Sequence, residues 1–231
     1  MLNMHKEIVI TADGSPTLFI PELKEHYHSV NGAMQESVFV YIENALNLVK
    51  KTRIKLFELG FGTGLNAYLS CLEADRRKVY IVYHSIEINP IEKNEWMLLS
   101  KFFQTNQQNA DLFQIIHECE WEKKEKISHF FSLKKIKADI EVYETHEKYD
   151  VIYFDAFGPE VQKEMWEPEI FNKISNMMNQ GAILSTYSSK GLVGRNMGSA
   201  GLKVKRIPGP PGKREIIVAS KPFFDSLPLN F

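Results

Sequence analysis

Ten consecutive residues, Phe57-Glu58-Leu59-Gly60-Phe61-Gly62-Thr63-Gly64-Leu65-Asn66, constrain this chain more than any other segment. An apolar run that reads as a strand closes on an acidic residue and passes at once into alternating glycines. Glycine has no Cβ and accepts positive φ, so such a turn can carry its amides close to a ligand before the next helix begins. The spacing is GxGxG. A dinucleotide-binding turn asks for GxGxxG or GxGxxA, so hydride chemistry on a nicotinamide cofactor fits less well. A glycine-rich turn that serves only close packing, with no ligand, is the bland alternative.

Composition narrows the class. At 231 residues, 44% hydrophobic and 25% charged, the chain has the makeup of one globular domain with a sizeable core. It lacks an apolar run of about 18 residues and the charged-then-apolar layout of a signal peptide, which predicts a cytoplasmic location. Cys71 and Cys119 form no CxxC pair, so neither a disulfide framework nor a cysteine zinc site is expected. His26 and His28 form an HxH pair without a nearby third ligand, and no metal is expected.

A formal net charge of -1 does not advertise polyanion binding. The distribution says more: between Lys190 and Arg214 lie Arg195, Lys203, Lys205, Arg206 and Lys213, with no acidic residue among them. Such a segment is either a solvated face matched by acidic neighbours in space or an anion-binding surface.

Along the chain, two β-rich runs flank Asp13-Gly14-Ser15-Pro16 and predict an N-terminal hairpin. Apolar residues Val38, Tyr41, Ile42, Ala45, Leu46 and Val49 recur at three and four, predicting an amphipathic helix over 34–51. A strand follows at 54–59, a helix at 65–74, a strand at 78–88 ending near Glu87, and a helix through Trp96, Leu99 and Phe102. Alternating Lys and Glu in EKKEKISHFFSLKK, 122–135, read as a solvated helix face. Later strands are expected at 136–142, 149–155, 182–187, 202–207 and 215–220. Strands alternating with helices predict an α/β fold with a mostly parallel, doubly wound sheet. The short link IPGPPGKR forbids a parallel crossover, so the last two strands pair antiparallel. The division expected is a hairpin and entry segment, 1–33, before a core over 34–231, all within one domain spanning 1–231.

In such sheets ligands sit beyond the carboxyl ends of the strands, where neighbouring connections diverge. Three acidic residues fall there. Glu87 is placed to accept from ribose hydroxyls with both carboxylate oxygens. Asp139 lies near the nucleoside-facing edge, able to accept from an exocyclic amine. Asp155 closes a strand in YDVIYFDAFGPE. Each is otherwise a plain strand-end charge. The loop after Asp155 is apolar, which costs exposure unless it covers something. Phe157 and Trp166 are therefore expected to wall a pocket for a flat substrate with Asp155 as polar anchor; for Trp166, ordinary packing is the alternative.

An acidic residue two positions before the first glycine is what Rossmann-like, class I S-adenosylmethionine-dependent methyltransferases show. Over nearly its whole length the chain resembles one family among them, the tRNA 5-methylaminomethyl-2-thiouridine methyltransferases. The resemblance is carried by HYHSVNGAMQESVFV, FELGFGTGLN, SIEINP, YFDAFGPEVQKEMW, TYSSKGLVGRNM, AGLKV and GPPGKREIIVAS. It implies methyl transfer from S-adenosylmethionine to the primary amine of 5-aminomethyl-2-thiouridine at the wobble position, with the tRNA anticodon stem-loop as partner. By resemblance, Glu58, Gly60, Gly62, Gly64 and Asn66 line the methionine end of the cofactor, Glu87 the ribose and Asp139 the adenine. Tyr27, Ser29, Glu36, Asp155 and Phe157 meet at the transfer centre, with Asp155 catalytic. Lys213 and Arg214 contact anticodon phosphates.

Two departures stand out. The bifunctional form of the family continues into an FAD-dependent oxidase, whereas this chain ends at Phe231. The expectation is a stand-alone methyltransferase without FAD, linked to a separate enzyme that supplies the aminomethyl uridine. Where many relatives have paired arginines, this chain has Val193-Gly194-Arg195, so only Arg195 carries over as an anion contact. Two other readings stay open: a methyltransferase or aminopropyltransferase acting on a small amine, and a catalytically silent methyltransferase-like RNA-binding module.

Overall fold

The computed structural model describes residues 4–103 and 107–223. The N-terminal segment forms a small antiparallel sheet of β1 (Glu7–Ile10), β2 (Pro16–Ile20) and β3 (Glu25–His26). Its hairpin loop then caps α1 (Ala33–Ser37): the amides of Ala33, Met34 and Gln35 donate to Thr11 Oγ1, Ser15 Oγ and Asp13 Oδ2 at 3.2, 3.1 and 2.9 Å. Those amides have no intrahelical acceptor, so three loop side chains fix the helix by satisfying them.

The helix expected over 34–51 does not continue as one. After α1 it widens into a π-helical segment, Val38–Glu43, and a 3₁₀ turn, Leu46–Leu48. Asn44 closes the widened segment: its backbone N–H and its side-chain amide both donate to the Phe39 carbonyl, at 3.3 and 2.8 Å.

The remainder is β4 (Arg53–Leu59), α2 (Leu65–Arg77), β5 (Tyr80–Glu87), α3 (Lys93–Ser100), α4 (Gln107–Glu118), β6 (Lys124–Lys126), β7 (Phe131–Lys137), β8 (Tyr149–Phe154), α5 (Pro168–Met177), β9 (Met178–Thr186), α6 (Gly191–Ser199), β10 (Lys203–Pro208) and β11 (Glu215–Ser220). The eight larger strands form one sheet in the order β10-β11-β9-β8-β4-β5-β7-β6. Strands β9, β8, β4, β5 and β7 run parallel, and β11 is antiparallel to both β9 and β10, as the short C-terminal link requires.

One expectation is corrected. Residues 122–135 are not a solvated helix but the β6–β7 hairpin, a second antiparallel edge. The strand expected at 136–142 correspondingly lies upstream, at Phe131–Lys137. Phe131, Leu133 and Lys135 are all buried, with Lys135 only 1% exposed. The Lys135 ammonium donates to the His117 carbonyl at 2.6 Å and lies over the rings of Phe61 and Trp121 at 5.5 and 5.1 Å. Cationic periodicity therefore misreads this stretch, because one lysine is held inside by aromatic faces.

Period-two alternation divides the core between the two faces of the sheet. On β4, Ile54 and Leu56 pack with residues of α2, α3 and α4, whereas Phe57 and Leu59 pack with residues of α5 and α6. Each fully buried side chain of this size contributes about 1.5–3 kcal/mol. From β4 the chain builds outward through β5 and β7, then returns to place β8 on the other side of β4. That reversal opens a crevice beyond the carboxyl ends of β4 and β8.

Candidate active site

The crevice is a cavity of about 910 Å³. It is lined by the glycine turn, the ends of β5 and β8, the loop after β7, and the entry segment from Tyr27 to Val30. Gly60 has φ 92°, and a Cβ there would lie 2.4 Å from the Asp155 carbonyl oxygen. The backbone crossing from β4 thus passes directly against the residue that ends β8, and no other side chain fits. Gly62 has φ 51° and packs beneath the Tyr27 ring. Its N–H donates to Glu87 Oε2 at 3.0 Å, while Glu87 Oε1 accepts from the Asn89 amide at 2.8 Å. Each oxygen keeps a further lone pair, and Glu87 lines the cavity. Asp139, in the loop after β7, lines the same cavity and accepts from the Glu141 amide at 2.9 Å.

Asp155 is the focus of the acceptor side. Its Oδ1 accepts from the Tyr41 hydroxyl at 2.6 Å and its Oδ2 from the Asn66 side-chain amide at 2.8 Å. The carboxyl opens on the cavity yet is enclosed deeply enough that desolvation pushes it up to about 7, against the lowering effect of those two bonds. Buried Glu36 raises it further, and Lys213 pulls it down. Glu36 accepts from the Ser29 amide at 2.9 Å and pairs with the Lys213 ammonium at 2.6 Å. That ammonium also lies 4.0 Å from the centre of the Tyr187 ring. The rings of Tyr27 and Phe157 meet edge-on at 5.1 Å.

Of the residues expected at the site, Tyr27, Ser29, Glu36, Gly60, Gly62, Asn66, Glu87, Asp139, Asp155, Phe157 and Lys213 all line this one cavity. Five do not. Glu58 is fully buried, with Oε2 accepting from Ser85 at 2.5 Å. Gly64 is turned toward His117, whose Nε2 would stand 2.9 Å from a Cβ placed there. Trp166 is not a cavity wall: it is 1% exposed, packed at a tilt against Phe154 and Phe171, with its indole N–H donating to the Phe157 carbonyl at 2.8 Å. An indole gains more from burial than from lining a wet pocket, so Trp166 supports the Phe157 loop from behind. Arg195 and Arg214 lie exposed on the exterior.

Sequence reasoning misses Tyr41 and Tyr187, and reads His28 only as half of an HxH pair at the surface or lining a pocket, the second of which it does. In the sequence Tyr41 is only an apolar helix position, and nothing local signals that its hydroxyl reaches Asp155. His28 bridges Thr17 Oγ1 and Thr63 Oγ1 at 3.1 and 3.4 Å, tying the N-terminal sheet to the glycine turn. Burial lowers its imidazole to about 4, so it is neutral in this role.

The residues present suit a cationic nucleoside cofactor such as S-adenosylmethionine. Among the described residues the lining carries eight carboxylates and three lysines. Asn66 Oδ1 is a buried acceptor without a donor, at the start of α2. Among the described residues no group of three His, Cys, Asp or Glu side chains is disposed around a metal ion, and no helix is long and apolar enough to cross a membrane.

Comparison with known proteins agrees with this geometry. Residues 101–222 match the model of a family described as S-adenosyl-L-methionine-dependent methyltransferase. The tRNA 5-methylaminomethyl-2-thiouridine biosynthesis bifunctional protein MnmC of Cupriavidus metallidurans is 28% identical, over 92% of this chain and 33% of its own length. The protein of the same description from Campylobacter hominis is 29% identical, over 87% of this chain and 31% of its own length. The chain thus spans about a third of these relatives. Among solved structures, MNMC2 from Aquifex aeolicus superposes with a TM-score of 0.74 at 25% identity, covering 94% of this chain and 71% of that one. Spermidine synthase from Thermotoga maritima, with a TM-score of 0.58 at 10% identity over 94% of this chain and 69% of its own, shares the fold. The resemblance read from FELGFGTGLN, DAFGP and GKRE therefore holds, and the chain belongs to the S-adenosyl-L-methionine-dependent methyltransferase family.

Proposed function

We propose that this methyltransferase acts on the primary amine of 5-aminomethyl-2-thiouridine at the tRNA wobble position, giving 5-methylaminomethyl-2-thiouridine. The observation that carries the reading is Asp155, held by Tyr41 and Asn66 against the glycine turn with its carboxyl open to the cavity. S-adenosylmethionine, when bound, supplies a methyl group already activated by its sulfonium. The chain's own task is then to present an unprotonated amine in line, and orientation alone accounts for much of the acceleration. Asp155 Oδ1 and Oδ2 point the amine and accept its proton; a carboxyl near 7 is matched to that exchange at neutral pH. Tyr27 and Phe157 supply flat walls for the base.

In this reading Asn66, Gly60 and Gly62 meet the methionine end of the cofactor, Glu87 the ribose and Asp139 the adenine. Ser29 and Glu36 flank the amine. Lys213, with Arg195 and Arg214 on the exterior, faces the anticodon phosphates. Residues 1–231 work as one methyltransferase unit whose first 33 residues cover the site. The aminomethyl uridine comes from a separate reaction, and the reaction is cytoplasmic, where its tRNA is.

The test incubates the protein with methyl-labelled S-adenosylmethionine and tRNA carrying 5-aminomethyl-2-thiouridine, and resolves the nucleosides by mass spectrometry. Label on that base alone supports the reading, and its absence there overturns it. The acidic lining also suits a polyamine acceptor. Labelling of free polyamines at a rate indifferent to salt favours that class instead, because phosphate contacts make tRNA binding fall steeply with salt.

A further inference from the structure

One polar row crosses the sheet immediately below the cavity. Ser85, Glu58, Tyr153 and Ser185 stand in register on β5, β4, β8 and β9. At its centre Glu58 is 0% exposed. Its Oε2 accepts from Ser85, but its Oε1 has no donor. Asn66 is 3% exposed and lies within hydrogen-bonding reach of the Glu58 carboxyl. One end of the Asn66 amide donates to Asp155 Oδ2 at 2.8 Å, and the other, Oδ1, has no donor. Two buried acceptors side by side, each without a hydrogen, form an arrangement that buried polar groups rarely keep. A single proton on Glu58 Oε1 satisfies both.

We propose that Glu58 is held as the neutral carboxylic acid, donates to Asn66 Oδ1, and through that amide fixes the orientation of Asp155; it is a positioning residue, not a cofactor contact. An asparagine amide has a donor end and an acceptor end. With its acceptor end occupied by the Glu58 O–H, its donor end can face only Asp155, which is then kept ionised and aimed at the cavity. Were Glu58 ionised, the amide would turn its N–H₂ toward it and present an oxygen to Asp155, repelling the carboxylate.

The surroundings agree with this. Burial is the largest influence and pushes the Glu58 carboxyl up to about 8; the nearby Asp155 adds to the rise, and the lowering contacts from the Ser85, Asn66 and Tyr83 side chains do not offset it. The titratable groups facing Glu58 are the Tyr83 and Tyr153 phenols and Asp155, and both phenols are pushed upward by burial. Asp155 in turn faces Tyr41, Glu36, Lys213 and Tyr187. No cation stands among the named groups that would hold Glu58 ionised.

The kinetic part of this inference rests on Asp155 orienting the acceptor amine; the protonation part does not, and the experiment separates them. Infrared difference spectra of the ligand-free wild type against Glu58→Gln read the carboxyl directly. The expected result is the carbonyl band of a protonated acid at about pH 7, fading above about pH 9 and missing from Glu58→Gln. A carboxylate signal at about pH 7 overturns the proposal. Turnover on tRNA then tests the positioning. Glutamine carries its own N–H toward Asn66, so Glu58→Gln should keep kcat within about twofold and lose the alkaline fall in rate, while Glu58→Ala loses about tenfold in kcat at unchanged KM. Glutamine as damaging as alanine, or an unchanged alkaline limb, also overturns it. Should alanine fail to fold, the infrared band and the isosteric glutamine decide. Wild type inactive on tRNA would sink the wobble-uridine reading while the infrared result still stands.

Discussion

Strand β8 carries an aspartate near each end, and the two ends behave in opposite ways. Asp150, at the start, accepts from the Lys51 ammonium at 2.6 Å, the Asn179 amide at 2.9 Å and the Lys55 backbone N–H at 3.0 Å. Burial raises its pKa, but the Lys51 bond and the two amides outweigh burial and hold it below the usual carboxylate range. Asp155, just past the other end, has only neutral donors, Tyr41 and Asn66, and rises to about 7. A cationic donor turns one carboxylate into a tie between β8, β4 and β9; its lack leaves the other free to exchange a proton. Burial raises both carboxyls, and only Asp150 has a cationic donor to offset it.

Truncation breaks the pair most visibly. Asp155→Ala should lower kcat about 10³-fold with tRNA affinity retained, whereas Asp150→Ala in the same assay should leave kcat unchanged in the folded fraction. Stability should show the reverse. Asp150→Asn is expected to cost about 1–3 kcal/mol at neutral pH by denaturant unfolding, because it removes the charge that Lys51 faces. A depressed carboxyl contributes stability above its unfolded value of about 3.9 and loses it as pH falls through the folded value, so this cost should vanish in acid.

For Asp155 the sign is opposite. Its raised carboxyl makes the ionised form a burden that grows from about pH 4 until pH passes the folded value of about 7. Asp155→Asn should therefore gain about 1–2 kcal/mol at pH 8 and nothing at pH 4, while inactive throughout. The smallest effect falls at the rim. Lys213→Ala should raise KM for tRNA about threefold and reduce the salt slope by about one, with the acid limb of the rate profile moving upward because Lys213 no longer lowers Asp155.

The sequence showed the features that backbone chemistry dictates and concealed those that tertiary contacts create. Gly60 is legible because positive φ and a 2.4 Å approach leave glycine alone acceptable, and the β10–β11 pairing because six linking residues cannot cross a sheet. Asp155 and Glu87 are legible as acidic residues closing strands. Lys135 is not: only the fold brings Phe61 and Trp121 over its ammonium, and without them a lysine-rich stretch looks solvated. Tyr41 is hidden for a similar reason, since only the fold brings its phenol to Asp155, 114 positions away in the chain. Trp166 deceived in the other direction, standing next to a pocket loop while belonging to the core beneath it.

Everything turns on Asp155 guiding an acceptor at the methyl donor held by the glycine turn. A crystal structure with S-adenosylhomocysteine tests it most directly, since the thioether sulfur marks the origin of the transferred methyl. The nucleoside should run from Glu87 toward Asp139, with the sulfur facing Asp155 across the room of one amine, beside Tyr27 and Phe157. A sulfur turned away from Asp155, or a cofactor seated outside this cavity, would contradict it.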